Sequence, residues 1–324
     1  IIPFCEVDGL VFSQLAYIRW ENADFIQERP PIKNVLPIIE DDLFKTLATN
    51  QEDKKFLPLA AKCRRFGEVR IEESISEYDE DEEKQFSATT YLLPDETLFV
   101  AYRGTDDTQI GWKEDFNMAF MPLVPSQMRA LEYLTKISDR YPNPIRVGGH
   151  SKGGNLAVYA AVAAEEKIQD RILGVYCNDG PGYNENVKPI ERYERIRDRI
   201  HAFVPQSSIV GMLLLHLEDY KIIRSTASGI MQHDPYSWEI KGGQFVEEPQ
   251  LKEDSKFTEV VLKKWLSELS TQDRKVLINA LFDIISAADV KTFGSEMWLS
   301  LVQNPLTYLN AIQNMDESDR NLVS

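Results

Sequence analysis

The stretch Gly149-His150-Ser151-Lys152-Gly153 sets a serine between two glycines, each two positions away. A serine hydroxyl is a weak nucleophile unless a neighbouring base takes its proton. A protein presents such a serine on a tight turn from a strand into a helix. There, side chains two positions to either side would collide with the adjoining elements, so glycine is needed. The helix that follows aims free N–H groups and the positive end of its dipole at a developing oxyanion. The flanks fit this arrangement. Ile145-Arg-Val-Gly-Gly reads as a short strand, and the alanine-rich run from Asn155 reads as a helix. The chemistry implied is attack of Ser151 on a carbonyl carbon, with the backbone N–H of Lys152 as one oxyanion donor. The Lys152 ammonium would attract an anionic substrate group or lie on the surface.

A nucleophilic serine needs a base, and the chain has four histidines: His150, His201, His216 and His233. His150 adjoins the serine, and its ring should point away from the hydroxyl as a packing residue. His201 opens an apolar strand, and His216 sits in Gly-Met-Leu-Leu-Leu-His-Leu, which reads as a helix. His233 follows the last expected strand in a loop-like segment, where the base of a doubly wound hydrolase arrives at the carboxyl edge of the sheet. His233 is therefore the expected base and His216 the alternative. An acid should orient it. Asp179, after the strand Ile172-Leu-Gly-Val-Tyr-Cys-Asn, is the candidate, although Asp-Gly-Pro also suits a plain turn. Asp219, Glu218 and Asp234 are rivals, Asp234 being very close to the histidine in sequence. The second oxyanion donor is expected from Arg103-Gly104-Thr105, after the strand ending at Tyr102. Thr105 offers both an N–H and a hydroxyl.

The elements that must position these residues follow from periodicity. Residues 7–30 and 41–68 read as helices. From about residue 68 three strand-like runs follow, rich in β-branched and aromatic residues. Helices and strands then alternate through about residue 227, which implies βαβ units and a mostly parallel sheet. The expected fold class is α/β, with an N-terminal helical and strand extension. After about residue 255 only helical patterns remain, with Val260, Trp265, Leu266 and Leu269 on one wide apolar face. The expected organisation is a catalytic domain over 1–250 and a helical appendage over 251–324 that could engage a protein partner.

Composition narrows the function classes. The 324 residues carry a formal net charge of −16, which argues against nucleic acid and anionic lipid as partners. No run of apolar residues is long enough for a membrane span, and no secretory signal pattern is apparent. Cys5, Cys63 and Cys177 are odd in number and widely spaced, so neither a disulfide framework nor a zinc site follows, and the expected setting is cytoplasmic. The acidic run Ser76–Gln85 reads as a solvated loop rather than a metal site.

Ala101-Tyr-Arg-Gly-Thr-Asp-Asp-Thr, Gly111-Trp-Lys-Glu-Asp-Phe and Gly148-Gly-His-Ser-Lys-Gly-Gly-Asn, in that order, resemble the class 3 (fungal-type) lipases of the α/β-hydrolase superfamily. The resemblance covers roughly residues 90–245. The chain also resembles a bacterial family of lipase-like proteins, through the elbow, Asn178-Asp-Gly-Pro-Gly-Tyr, Val204-Pro-Gln-Ser-Ser-Ile-Val-Gly and His233-Asp-Pro-Tyr-Ser-Trp. The resemblance implies an α/β-hydrolase fold, Ser151 as nucleophile, Thr105 at the oxyanion site, His233 as base and no metal or other cofactor. One departure stands out. Class 3 lipases carry their acid in an Asp-x-Val-Pro segment, and Phe203-Val-Pro-Gln-Ser-Ser has no carboxylate. Either Asp179 supplies the acid from the preceding strand, or the triad is incomplete and Gln206 or Ser208 holds the imidazole without a charge. The apolar segments around Met118 and Phe120, and around Ile209 and Met212, resemble the walls of a lid or acyl pocket. The expected activity is hydrolysis of a carboxylic ester with an acyl or lipid-like acid part. Thioester or amide hydrolysis, acyl transfer, and a weakly active binding or scaffold protein are the alternatives.

Overall fold

In the computed structural model, residues 2–36, 44, 51–106, 108–118, 121, 123–183, 190–208, 210–212, 214, 216 and 218–252 are described. Helices α1 (Glu6–Leu15) and α2 (Gln51–Lys62) lead into the strands β1 (Arg70–Asp79), β2 (Lys84–Leu92) and β3 (Leu98–Tyr102). Then come α3 (Gln109–Asn117), α4 (Pro125–Arg140), β4 (Ile145–His150), α5 (Lys152–Ala163), α6 (Glu166–Gln169), β5 (Ile172–Asn178), α7 (Ile190–Ile196), β6 (Ile200–Pro205) and β7 (Tyr220–Ile223). Three two-residue strands follow: β8 (Ile240–Lys241), β9 (Gln244–Phe245) and β10 (Glu247–Glu248). Eight strands form one sheet in the order β1-β2-β3-β4-β5-β6-β7-β10. β3 through β7 run parallel, while β1, β2 and β10 pair antiparallel at the edges. This mostly parallel sheet with crossover helices and a serine elbow after a central strand is an α/β-hydrolase fold.

Every step from β3 to β7 advances to the next strand in one direction. Right-handed crossovers therefore put the connecting helices on a single face. One core cluster joins Leu98, Val100, Tyr102, Val147 and Val175 of the strands to α4 (Tyr133, Leu134, Ile137), α5 (Leu156–Val162) and Ile196 of α7. The alternating strand positions Phe99, Ala101, Tyr176 and Phe203 point to the opposite face. Among the described residues no crossover helix reaches it. It is covered instead by Leu10, Phe12 and Leu15 of α1, Leu57, Ala60 and Ala61 of α2, and Trp238 and Phe245 near the C-terminal edge. Burial of side chains of this size contributes about 1.5–3 kcal/mol each. The N-terminal extension is thus a wall of the core.

Three expectations about elements change. The helix expected over 7–30 ends at Leu15 and continues as short 3₁₀ turns. The buried Trp20 indole donates to the Leu15 carbonyl at 3.0 Å, taking an acceptor that a continuing helix would give to its own N–H groups. The acidic run is the β1–β2 hairpin, whose last residue, Gln85, is buried. His216 lies in irregular chain rather than a helix. The appendage expected over 251–324 falls outside the described residues, apart from Leu251 and Lys252.

Candidate active site

Ser151 sits between β4 and α5 with φ 58° and ψ −133°, a strained conformation for a residue with a side chain. Its backbone N–H donates to the Asn178 carbonyl at 3.0 Å, and Asn178 Nδ2 donates to the Gly149 carbonyl at 3.1 Å. The end of β5 thus braces the turn. A Cβ on Gly149 would overlap the backbone of Gly153, and a Cβ on Gly153 would overlap the Tyr102 carbonyl. Only glycine permits this approach of helix to strand.

Asp179 follows β5 with φ 48°, held by an N–H bond to the Phe203 carbonyl at 2.8 Å. Its carboxylate is wholly buried, and Oδ2 lies 2.6 Å from Nδ1 of His233. Nδ1–H therefore donates to the carboxylate, which leaves Nε2 as the basic nitrogen. The other oxygen, Oδ1, accepts a 2.5 Å bond from the Ser208 hydroxyl, and Ser208 Oγ accepts from the Gly211 N–H at 2.9 Å. Any side chain on Gly211 would strike Asp179 Oδ1. The segment that lacks a carboxylate thus supports one contributed by the preceding strand. Ser208 holds the acid rather than the imidazole, and Gln206 Nε2 turns away to the Ser225 carbonyl. The rival acids are engaged elsewhere. Glu218 pairs with His216 at 3.0 Å, Asp219 is fully exposed, and Asp234 accepts from the Tyr236 N–H in its own turn. Among the described residues the Ser151 hydroxyl and His233 Nε2 share no hydrogen bond. In substrate-free sites such contacts are often long and tighten on binding.

The loop Arg103–Thr105 packs on the elbow, so that a Cβ on Gly104 would lie 3.2 Å from Ser151 Cβ. The Thr105 hydroxyl donates to Asp115 Oδ2 at 2.5 Å, tying this loop to α3. Burial pushes the Asp115 carboxyl up to about 6, against the opposing pull of the Lys152 charge and the Thr105 hydrogen bond. The Lys152 side chain corrects the sequence expectation, for it neither faces substrate nor lies on the surface. Its Nζ donates to the Gln85 carbonyl and Oε1, both at 2.8 Å, and pairs with Glu114 at 3.0 Å with both side chains fully buried. Glu114 also accepts from Ser126 N–H and Oγ. An ammonium on the first turn of a buried helix requires such an acid. That requirement was a readable signal for Glu114, which lies in the Trp-Lys-Glu-Asp segment.

His150 packs against the His233 ring. Burial holds its imidazole well below the usual range. His201 stacks on Tyr176, with ring centroids 5.1 Å apart. Of the apolar residues expected near substrate, Met118 is buried just after α3, and Met212 packs with Val204 and Leu251. Phe120 and Ile209 lie outside the described residues.

A family model described as Mbeg1-like matches residues 60–283. The chain belongs to the Mbeg1-like family. The Mbeg1-like match takes in the elbow, Asp179 and His233, and it begins near the end of α2, so that α1 precedes it. No curated protein matches the chain. Among solved structures the chain is similar to a lipase from Rhizopus microsporus var. chinensis, with TM-score 0.44 and 15% identity, covering 78% of this chain and 81% of that one. It is also similar to lipase II from Rhizopus niveus (TM-score 0.40, 14% identity, 73% and 85% covered) and to M37 lipase (0.44, 12%, 98% and 97%). Among the described residues no helix is long and apolar enough to cross a membrane.

Proposed function

We propose that this protein is a serine hydrolase that cleaves a carboxylic ester with an acyl or lipid-like acid part, in a reducing, cytoplasmic setting. The observation that carries the reading is the 2.6 Å contact between buried Asp179 and His233 Nδ1, beside a serine in an elbow conformation. Ser151 Oγ attacks the ester carbonyl and His233 Nε2 takes its proton. Asp179 holds the imidazole in the productive tautomer and stabilises the imidazolium that forms. The N–H groups of Thr105 and Lys152 receive the oxyanion. His233 returns the proton to the leaving alcohol, and water then releases the acyl group from Ser151 by the same steps. Met118 and Met212 are assigned to the apolar surroundings of the acyl chain. No metal or organic cofactor takes part in this scheme.

Labelling with a fluorophosphonate probe, together with hydrolysis of p-nitrophenyl esters, tests the proposal. Wild type should label and Ser151→Ala should not. Hydrolysis should fall on the order of 10⁴-fold or more in Ser151→Ala and about 10⁴-fold in Asp179→Asn. A wild-type protein that neither labels nor hydrolyses, or an Asp179→Asn variant at full rate, would overturn it.

A further inference from the structure

We propose that the N-terminal helices α1 and α2 clamp the histidine loop at two points, with Tyr17 and Asp53 as positioning residues for His233. The proposal rests on the role of His233 as base. The first point starts at Tyr17, in the turn after α1. Its buried hydroxyl lies 3.1 Å from Nδ1 of His150. Nε2 of the same ring lies 2.8 Å from the backbone carbonyl of His233. A carbonyl only accepts, so Nε2 carries the proton, Nδ1 is the bare acceptor, and the Tyr17 O–H donates to it. Burial keeps His150 neutral, which matches this single tautomer. The rings of His150 and His233 also pack together, with centroids 4.5 Å apart and planes tilted by 34°.

The direction of this chain of contacts is set by the sheet. Gly149 faces α5, so alternation along β4 turns His150 to the opposite face, where α1 lies. Tyr17 touches the other half of the site as well. Its hydroxyl occupies the space that a Cβ on Gly104 would need, so one side chain abuts the Arg103–Thr105 loop and steadies the base loop.

The second point lies three residues after the base. The Tyr236 hydroxyl donates to Asp53 Oδ1 of α2 at 2.5 Å, and Asp53 is 2% exposed. Phe56 of α2 packs edge-on against the Tyr236 ring, with centroids 5.8 Å apart. Tyr17, Asp53 and Phe56 all precede the residues that the family model matches. The backbone of His233 and the turn that follows it are thus fixed by chain from outside that region, on the face that no crossover helix among the described residues covers.

The test uses the full chain with Tyr17→Phe, Asp53→Ala and Asp53→Asn. Tyr91→Phe is the matched control, because its hydroxyl accepts from the Trp20 indole at 2.8 Å on the same face, away from the loop. The readouts are kcat and KM for a p-nitrophenyl ester and the Nδ1–H proton resonance of His233. Tyr17→Phe and Asp53→Ala should each lower kcat between about 10-fold and about 10²-fold with little change in KM, the scale expected for a misplaced catalytic group. Both should shift or broaden the His233 resonance, and Asp53→Asn, which keeps an acceptor, should recover most of the loss. Tyr91→Phe should leave both readouts in place. The clamp is refuted if Tyr17→Phe leaves the His233 resonance unmoved, or if Tyr91→Phe matches it in both readouts. If the wild-type protein proves inactive, the hydrolase reading fails, while the resonance still decides whether the N-terminal helices hold His233.

Discussion

On one face of the sheet, α4, α5 and α7 arrive as crossovers, each obliged by chain connectivity to lie where it does. On the other, α1, α2 and the β8–β9 hairpin come from outside the βαβ series; α1 and α2 pack through side chains, and the hairpin is also tied by backbone bonds between Arg224 and both Glu239 and Val246. The two faces also differ in how they grip the site. The crossover side uses charge: Lys152 and Glu114 form a fully buried pair behind the elbow. The N-terminal side uses hydroxyl hydrogen bonds, from Tyr17 to the neutral His150 and from Tyr236 to Asp53. The Ser151 turn is therefore backed by a costly, well-satisfied ion pair. The His233 loop rests on its contact with Asp179, on hydroxyl hydrogen bonds and on packing. The difference suits their tasks, since the elbow must stay strained while the histidine loop needs only to be oriented.

The sharpest way to break this contrast is to remove one half of the ion pair. Lys152→Ala strands a buried carboxylate and should cost about 3–5 kcal/mol in urea unfolding. Replacing both partners, as Lys152→Met with Glu114→Gln, should recover much of that loss, because neither charge is then buried alone. The counterpart on the other face is milder. Tyr91→Phe removes one neutral hydrogen bond and should cost about 1 kcal/mol, since the Trp20 indole keeps its bond to Leu15. Equal costs for Lys152→Ala and Tyr91→Phe would erase the distinction between the faces.

The same contrast explains what could be read from the sequence. The crossover side was legible because βα alternation, Gly149 and Gly153 are local signals whose geometric consequences are fixed. Strands β1 to β7 and helices α4 and α5 fall close to where their patterns place them. The N-terminal side depends on contacts between distant segments. The end of α1 at Leu15 is decided by the Trp20 indole, and nothing in local periodicity announces that bond. The acid shows both kinds of signal. Asp179 after a strand was readable as a candidate, but the Ser208 hydroxyl that supports it across 29 residues was visible only as an odd absence of carboxylate.

Glycine substitutions sharpen the comparison at a smaller scale. In Gly153→Ala the new methyl group would meet the Tyr102 carbonyl, part of a central strand that has no room to retreat. Overpacking of this kind should cost about 1–3 kcal/mol and should slow fluorophosphonate labelling of Ser151. In Gly9→Ala, on α1, the added carbon meets the Tyr176 side chain, with the ring Cγ at 2.6 Å. Tyr176 Cβ also lies within 2.9 Å and is fixed to β5, so relief must come from α1, which packs on the sheet through side chains and can shift as a unit; Gly9→Ala should therefore cost less and leave labelling unchanged. Parallel urea titrations of the two variants decide the order, and the reverse order would show that the N-terminal face is the more rigid one.

A pH-dependent effect concerns Asp115, whose carboxyl burial raises from 3.8 to about 6 beside the Thr105 hydroxyl. A raised carboxyl holds its proton in the folded chain at pH values where the unfolded chain has lost it. The folded state is then favoured most at or below pH 4, and the advantage fades as pH climbs from there through about 6. Asp115→Asn should remove this slope, so that the wild-type protein loses stability relative to the variant between those limits. A carbon-detected titration of the Asp115 carboxyl should give a midpoint near 6. A midpoint near 4 would mean that water reaches the carboxylate, and that the Arg103–Thr105 loop is not enclosed where Thr105 meets Asp115.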